Sequence, residues 1–413
     1  METKIKKEPL LRITRNMDLN NKHVWLIRIG GILAGFLICA LMSTILAPGT
    51  FFDFFKQLGV GSFGTPNRIF SFLEEMALLL IISLALAPAF RMKFWNIGAE
   101  GQVLAGCLCC YMIMRFAGPV VPSGLLWILM IACSVGGGVL WAAIPAIFKA
   151  FFNTNETLFT LMMNYLAKGL ILYFISVWEP GGTGVCPPSP YGNIAQVGGY
   201  DYIINIIIVA LVTVIMFVYL KYTKHGYEID VVGGSVNTAR YIGINVKKVV
   251  IRTMILSGAV CGLAGLLITA GATHTINGEV AGGRGFTAVL IAWLGNLNPF
   301  EMALNSGLVA FITKGANEAC SHYFQNGSNY SDIMVGVFFF SIIASTFFTK
   351  YKIISPRIEA KKLAMEGLSE NDNPNNTPTS DVPEMQSSKS RSIATRLTRL
   401  FKKKHEEENK EGK

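Results

Sequence analysis

The chain has 413 residues, 52% of them hydrophobic and only 15% charged, and its mean hydropathy is +0.45. This composition excludes an ordinary soluble globular domain and points to a polytopic membrane protein. The formal net charge of +10 does not mark a nucleic-acid binder, because Lys and Arg gather at the two ends and in one internal loop, as they do on the cytosolic flanks of membrane segments.

Residues 1–22 form a polar tail carrying Lys4, Lys6, Lys7, Arg12, Arg15 and Lys22, and a basic flank of this kind stays in the cytoplasm. The first apolar run, Val24–Ala47, is about 24 residues and long enough to span, so it is expected to be a retained helix rather than a cleaved signal. Further runs follow at Ile69–Phe90, Ile97–Phe116, Leu125–Phe152, Glu156–Trp178, Tyr202–Lys221, Val249–Ala272, Gly285–Leu297, Glu301–Gly315 and Ile333–Phe348. Alternating sides gives about ten crossings over a permease-like region, 23–350, with both termini inside. The connections this places in the cytosol are Arg91/Lys93, Lys149 to Glu156, Lys221 to Lys248 and everything after Lys350, and they hold most of the Lys and Arg. The outer connections, Pro48 to Arg68, Gly118 to Gly124, Glu179 to Asp201 and Glu318 to Asp332, are rich in Gly, Pro, Asn and Ser.

One stretch is out of place. Phe94-Trp95-Asn96-Ile97-Gly98-Ala99-Glu100-Gly101-Gln102 puts an acid and amides at the mouth of an apolar run. Such side chains near hydrocarbon face a polar cavity, pair internally or mark a solute path. Gly98 and Gly101 suit a broken helix, which survives at membrane depth only where it lines protein or water. The alternative is a re-entrant helix end in which Glu100 is capped or paired. Gly285–Leu297 and Glu301–Gly315 are too short for a typical span and are expected to dip as a hairpin around Asn296-Leu297-Asn298-Pro299. Asn96 to Gly106 and Gly282 to Gly295 are both Gly-rich helix beginnings, a pattern of inverted repeats about a solute path.

Other polar residues inside spans are Glu74, Glu75, Asn155, Glu156, Asn164, Lys168 and Asn305. Glu156 and Lys168 stand about three turns apart and are not expected to pair. Asn155 and Glu156 can open their helix, where an acid complements the dipole. Asn164 must bond across helices or face a cavity. The solute-path set is therefore Asn96, Glu100, Gln102, Asn155, Glu156, Asn164 and Asn296; with Glu100 near the inner end, Asn164 and the Asn296 hairpin are the expected outer contacts.

The loop Lys221 to Lys248 reads as a small module. Ser235 or Asn237 can cap a short helix through Ala239, Arg240 and Tyr241 that Gly243 ends. It is either a docking knob for a soluble partner or a loop on the headgroups. Residues 351–413 form a tail in which Glu370 to Ser390 has a disordered composition. Beyond it, 391–404 combines Ile393, Leu397, Leu400 and Phe401 with a basic remainder, the pattern of a membrane-surface helix or a plain basic tail. The eight cysteines form no metal-ligand pattern; Cys186 and Cys320 fall in outer loops, so a bridge between them is compatible with the topology. No G-x-x-x-x-G-K-[ST], H-E-x-x-H or G-x-S-x-G motif occurs, so neither ATP hydrolysis by this chain nor any other enzyme activity, metal or cofactor is expected.

The stretch Phe94–Gln102 is similar to the F-N-I-G-x-E-G-Q signature of ABC importer permeases of the nucleoside branch, which are fed by basic-membrane-protein-type lipoproteins and are related to ribose and branched-chain amino acid permeases. Asn155-Glu156-Thr157 with Met163-Asn164-Tyr165 resembles that family's N-E-x…L-N-Y element. Ala239-Arg240-Tyr241-Ile242-Gly243-Ile244 resembles its A-A-R-Y-x-G-I loop, and Gly285-Phe286-Thr287-Ala288-Val289 with Leu294-Gly295-Asn296…Asn298-Pro299 a fourth element. The four occur in family order over about Ala47 to Phe348. The G-G-I-D-L-S-V-G segment of ribose-type permeases is missing. Departures are Gly233-Gly234-Ser235-Val236-Asn237 where relatives read G-x-N-P-x, and Glu228 and Asp230 where bases are common; those acids would repel an acidic docking surface.

The resemblance implies an all-α polytopic protein of the type II ABC importer fold with inverted repeats. It implies a permease subunit that moves nucleosides or similar small polar solutes into the cytoplasm of a bacterium across its plasma membrane. The partners it implies are cytosolic ATP-binding subunits, a second and shorter permease paralogue, and an external substrate-binding lipoprotein. On this resemblance the loop 221–248 is the coupling helix, with Gly234, Asn237, Ala239, Arg240, Tyr241 and Gly243 meeting the ATPase. The competing readings are an ion-coupled secondary transporter, with Glu74, Glu75, Glu100 and Glu156 as ion sites, an ABC permease for simple sugars, and an uncoupled channel or structural protein.

Overall fold

The computed structural model describes residues 12–15, 21–46, 51–323 and 328–354. Most of the basic amino-terminal tail and the amphipathic segment expected at 391–404 lie outside the described residues. Contacts divide the chain into two units. In one, the strand β1 (Arg12–Arg15) pairs antiparallel with β2 (Tyr351–Ile354), Arg12 facing Ile354.

The other unit, Asn21–Thr346, is all-α. Its helices are α1 (Asn21–Leu46), α2 (Phe51–Phe63), α3 (Pro66–Arg91), α4 (Ala99–Phe116), α5 (Ser123–Phe152), α6 (Glu156–Trp178) and α7 (Ile203–Tyr222). Then come α8 (Lys224–Gly234), α9 (Val236–Tyr241), α10 (Val246–Leu266, continued by a π-helical stretch Leu267–Thr273), α11 (Arg284–Leu294), α12 (Pro299–Tyr323) and α13 (Ser328–Lys350). Among the described residues, six helices are long and apolar enough to cross a membrane, namely α1, α3, α5, α6, α7 and α10 with its π-helical end.

The layering follows from burial. In α3 and α10, 72% of the most apolar window is buried, against 22% in α1 and α7. So α3 and α10 form the centre and α1 and α7 the rim, whose exposed apolar side chains suit contact with hydrocarbon. The α4, α5 and α10 backbones come together on small residues. Ser134 Oγ donates to the Gly262 carbonyl at 2.7 Å and lies 3.0 Å from the Gly106 carbonyl, and a Cβ on Gly138 would strike the Gly258 carbonyl. Ser134/Gly138 and Gly258/Gly262 are each one turn apart, the small-xxx-small spacing that lets membrane helices approach closely.

Three expectations need correction. The outer connection Pro48 to Arg68 contains a helix, α2, whose Phe54, Leu58 and Gly61 are buried and which packs on α12 and α3. The segment expected as Glu301–Gly315 is the 25-residue α12. It runs past its polar residues because they are satisfied: Lys314 Nζ donates to Ser71 Oγ at 3.0 Å, and Glu318 pairs with Arg68 at 2.7 Å. The loop 221–248 holds two helices, α8 and α9, rather than one.

Candidate functional site

The connection from α3 to α4 is a folded break. After Pro88 the chain turns, with Phe94 N donating to Ala89 O at 2.9 Å and Lys93 at φ 60. Gly98, at the N-cap of α4, has no side chain to cap with, and amides from elsewhere supply the bonds. Asn96 Oδ1 accepts from Gly98 N at 3.0 Å and from Gln102 Nε2 at 3.3 Å, while its Nδ2 donates to Ser257 Oγ of α10 at 3.2 Å. Asn164 of α6 accepts from Gly101 N at 2.8 Å and donates to Ile97 O at 2.9 Å. Thr160, one turn earlier, accepts from Ile97 N at 3.2 Å. Gly101 is required at this contact, because a Cβ there would stand about 3.0 Å from Asn164 Cα and Met163 O. Gln102 Oε1 is buried and, among the described residues, has no hydrogen-bond partner.

Glu100 projects from the first turn of α4 to the start of α11. Its carboxylate accepts from Gly283 N at 2.9 Å and from Gly285 N at 2.6 Å. These are free amides at a helix N-terminus, where a negative charge is favoured by both hydrogen bonding and the dipole. Gly283 sits at φ 71, and a Cβ on Gly285 would clash with the Glu100 backbone, so glycine is needed at both. Between them, Arg284 grips Glu75 of α3 with two parallel bonds of 2.9 and 2.8 Å. Lys314 of α12 stands 3.8 Å from the same carboxylate. A polar belt thus joins α3, α4, α11 and α12. Among the described residues, Glu74 Oε1 of α3, Asn205 Oδ1 of α7 and Thr269 Oγ1 of the π-helical stretch are buried without a hydrogen-bond partner.

The π-helical end of α10 gives way at His274, φ 55, to a chain segment that leads back to α11. The long connection after α6 holds that segment in place. Cys186 N donates to Ile276 O at 3.0 Å, Ser189 N to His274 O at 2.9 Å and Ile194 N to Ala270 O at 2.9 Å. Tyr111 OH of α4 donates to Pro187 O at 2.8 Å. Cys186 is buried and its thiol is free; the Cys320 side chain lies outside the described residues. Lys168 pairs with Glu279 of the returning segment, and Glu156 pairs instead with Lys149 at 2.7 Å. Asn155 is the N-cap of α6, accepting from Leu158 N at 3.2 Å.

At the end where α3 stops lies the α8–α9 module. Ser235 caps α9 by accepting from Thr238 N at 3.3 Å, and Gly243 follows at φ 84. Ala239 is buried, whereas Gly234, Asn237 and Arg240 are exposed and Tyr241 is 92% exposed. Glu228 pairs with Arg252 at 2.9 Å, and Asp230 stands 3.7 Å from Arg91. Each acid therefore has a base of this chain beside it, although the Asp230 side chain remains 55% exposed. The α11–α12 turn is at the same end. Arg91 Nη2 donates to Leu297 O at 3.2 Å, and Trp95 stacks on Trp293 at 4.9 Å. Asn296, at φ 46, donates to Glu301 Oε2 at 3.0 Å. Asn296 thus lies beside Arg91, at the end that carries α8 and α9, and both polar atoms of the Asn164 amide are bonded into the α3–α4 break.

The family model described as the permease component of branched-chain amino acid transport systems matches residues 68–343. The chain belongs to this permease family. It is similar to the guanosine ABC transporter permease protein NupP of Bacillus subtilis, 30% identical over 69% of this chain and 82% of the relative. A glucose ABC transporter permease protein, TsgB13 of Haloferax volcanii, is 27% identical over 67% of this chain and 76% of its own. The nucleoside ABC transporter permease protein NupB of Lactococcus lactis subsp. cremoris is 25% identical over 72% of this chain and 85% of its own.

A permease of this family is a multi-pass membrane transport subunit, not an enzyme, and works with ATP-binding partners. Within this permease, Asn96, Glu100, Gln102 and Asn164 come together around the α3–α4 break, joined by Thr160 and Ser257, while Asn155 and Glu156 stand at the start of α6 and Asn296 at a separate turn. Sequence reasoning missed Arg284, Lys314, Thr160 and Ser257. For Arg284 a signal existed: a lone arginine between glycines in an apolar stretch needs a counter-charge, and Glu75 was the available one.

Proposed function

We propose that this permease forms the solute path of an ATP-driven importer for nucleosides. The observation that carries the reading is the meeting of two interrupted helices, where the Glu100 carboxylate at the start of α4 takes the amides at the start of α11. Discontinuous helices whose ends meet inside the bundle are how transporters build solute sites. The relatives named for guanosine and nucleoside favour that solute class over the one named for glucose.

In this reading Glu100, Asn96 and Asn164 hold the break in shape, and Gln102 offers its free oxygen to the solute, an acceptor without fixed charge for base or ribose donors. Asn155, Glu156 and Asn296 border the inner mouth. The exposed face of α9, with Gly234, Asn237, Arg240, Tyr241 and Gly243 around buried Ala239, docks a cytosolic ATPase and passes its closure to the bundle. A second, shorter permease and an external lipoprotein complete the importer in a bacterial plasma membrane, with both termini of the chain cytoplasmic.

The test is uptake of labelled guanosine by cells lacking other routes. Wild type restores uptake, and Gln102→Ala raises KM while leaving the amount of protein in the membrane unchanged. Uptake that collapses with an uncoupler while ATP is held constant would reject this mechanism for an ion-coupled one.

A further inference from the structure

At the end of the bundle that carries α8 and α9, a cavity of about 940 Å³ opens between those helices and the ends of α3, α5, α6 and α10. Its charged lining residues are Lys93, Lys149, Arg240, Lys247 and Glu156, four cations against one carboxylate. Lys149 is already paired with Glu156. Among the described residues, Lys93 and Arg240 form no ion pair, and Lys247 lies 4.9 Å over the ring of Phe151. The backbone at Lys93 is left-handed, φ 60, a conformation uncommon for a residue with a side chain. Gly234 also lines the cavity, and the space where its Cβ would stand is open.

Lys149 and Ala150 of α5 line this basic cavity, and next to them Phe148, Phe151 and Phe152, on the last turns of the same helix, are 41%, 60% and 70% exposed beside the cavity rather than within its lining. Exposed aromatics beside uncompensated cations at the end of a membrane helix form an amphipathic receptor, with one part for an anion and one for hydrocarbon. We propose that the cavity binds the phosphate headgroup of an anionic phospholipid, whose acyl chains lie along these phenylalanines. The unbridged phosphate oxygens accept from the Lys93 and Lys247 ammonium groups. A choline lipid carries the same phosphate, but its trimethylammonium meets the same cations and is repelled. A free phosphate ester has the charge without the chains. Because the cavity borders both α5 and α9, a bound lipid braces the α8–α9 module against the bundle.

Native mass spectrometry of the full-length chain in a non-ionic detergent tests this, with phosphatidylglycerol, phosphatidylcholine or glycerol phosphate added at equal concentration. The expected result is retention of phosphatidylglycerol alone. The double variant Lys93→Gln/Lys247→Gln lowers that retention by about thirty-fold, the effect of two basic residues at an anionic lipid surface. Both lysines are exposed, so an unchanged unfolding temperature is expected and shows that the variant is folded. Lys56→Gln on α2, an exposed cation away from the cavity, leaves retention as in wild type. Equal retention of phosphatidylcholine, equal retention of glycerol phosphate, or equal losses in the double variant and Lys56→Gln overturns the proposal.

Discussion

Glu100→Ala separates a structural role for this carboxylate from a solute contact. The side chain accepts from two buried amides, at 2.9 and 2.6 Å. Its removal leaves both without partners, at about 1–3 kcal/mol each, offset in part because a buried charge no longer has to be desolvated. The expected net loss is roughly 2–4 kcal/mol. Glu100→Gln keeps one acceptor oxygen but turns an amide NH2 toward the second N–H, so about half the loss is expected. Thermal unfolding of the purified protein in detergent, with uptake measured in parallel, reads both effects. The order wild type, Gln, Ala in stability is predicted, with uptake falling in the same order. If both variants unfold with wild type while KM alone rises, Glu100 meets the solute and the clamp reasoning fails.

The other elements can be tested in the same way. Glu75→Ala strands the partly buried Arg284 and should cost about 3 kcal/mol, the low end for breaking a buried pair, whereas the double variant Glu75→Met/Arg284→Met recovers most of it in the same unfolding assay. Gly138→Val forces a side chain into the Gly258 carbonyl and should cost at least the 1–3 kcal/mol or so typical of overpacking. Gly136→Val, with nothing within 4 Å, should fold normally. Ser235→Ala removes the α9 cap at about 1 kcal/mol and should reduce recovery of a co-purifying ATPase, while Arg240→Glu should abolish it; normal recovery with Arg240→Glu counts against docking at α9.

The sequence made the long, evenly apolar helices visible, and α6 begins and ends at the expected residues because Asn155 caps it and Glu179 closes it. It hid the helices whose polar residues are neutralised by distant partners. α12 looked short because Lys314 and Glu318 interrupt its apolar run, yet Glu75, Ser71 and Arg68 complete them. α2 looked like a loop because Gly59 and Gly61 punctuate it and Gly64 follows it, although its helix is held by packing on α12 and α3. The polar cluster at Asn96 to Gln102 was conspicuous for its chemistry. Its bonding was not legible: Asn164 is 63 residues from Gly101, and Gly285 is 185 from Glu100. Only the folded chain distinguishes a carboxylate that waits for a solute from one that holds a helix end.

The most direct test of the transport claim is uptake of labelled guanosine into proteoliposomes holding this permease with its ATPase, partner permease and binding lipoprotein. Accumulation that requires ATP inside the coupling compartment, persists when the ion gradients are collapsed and is lost with Arg240→Glu is predicted. Accumulation without ATP, driven by an imposed proton or sodium gradient, would contradict it.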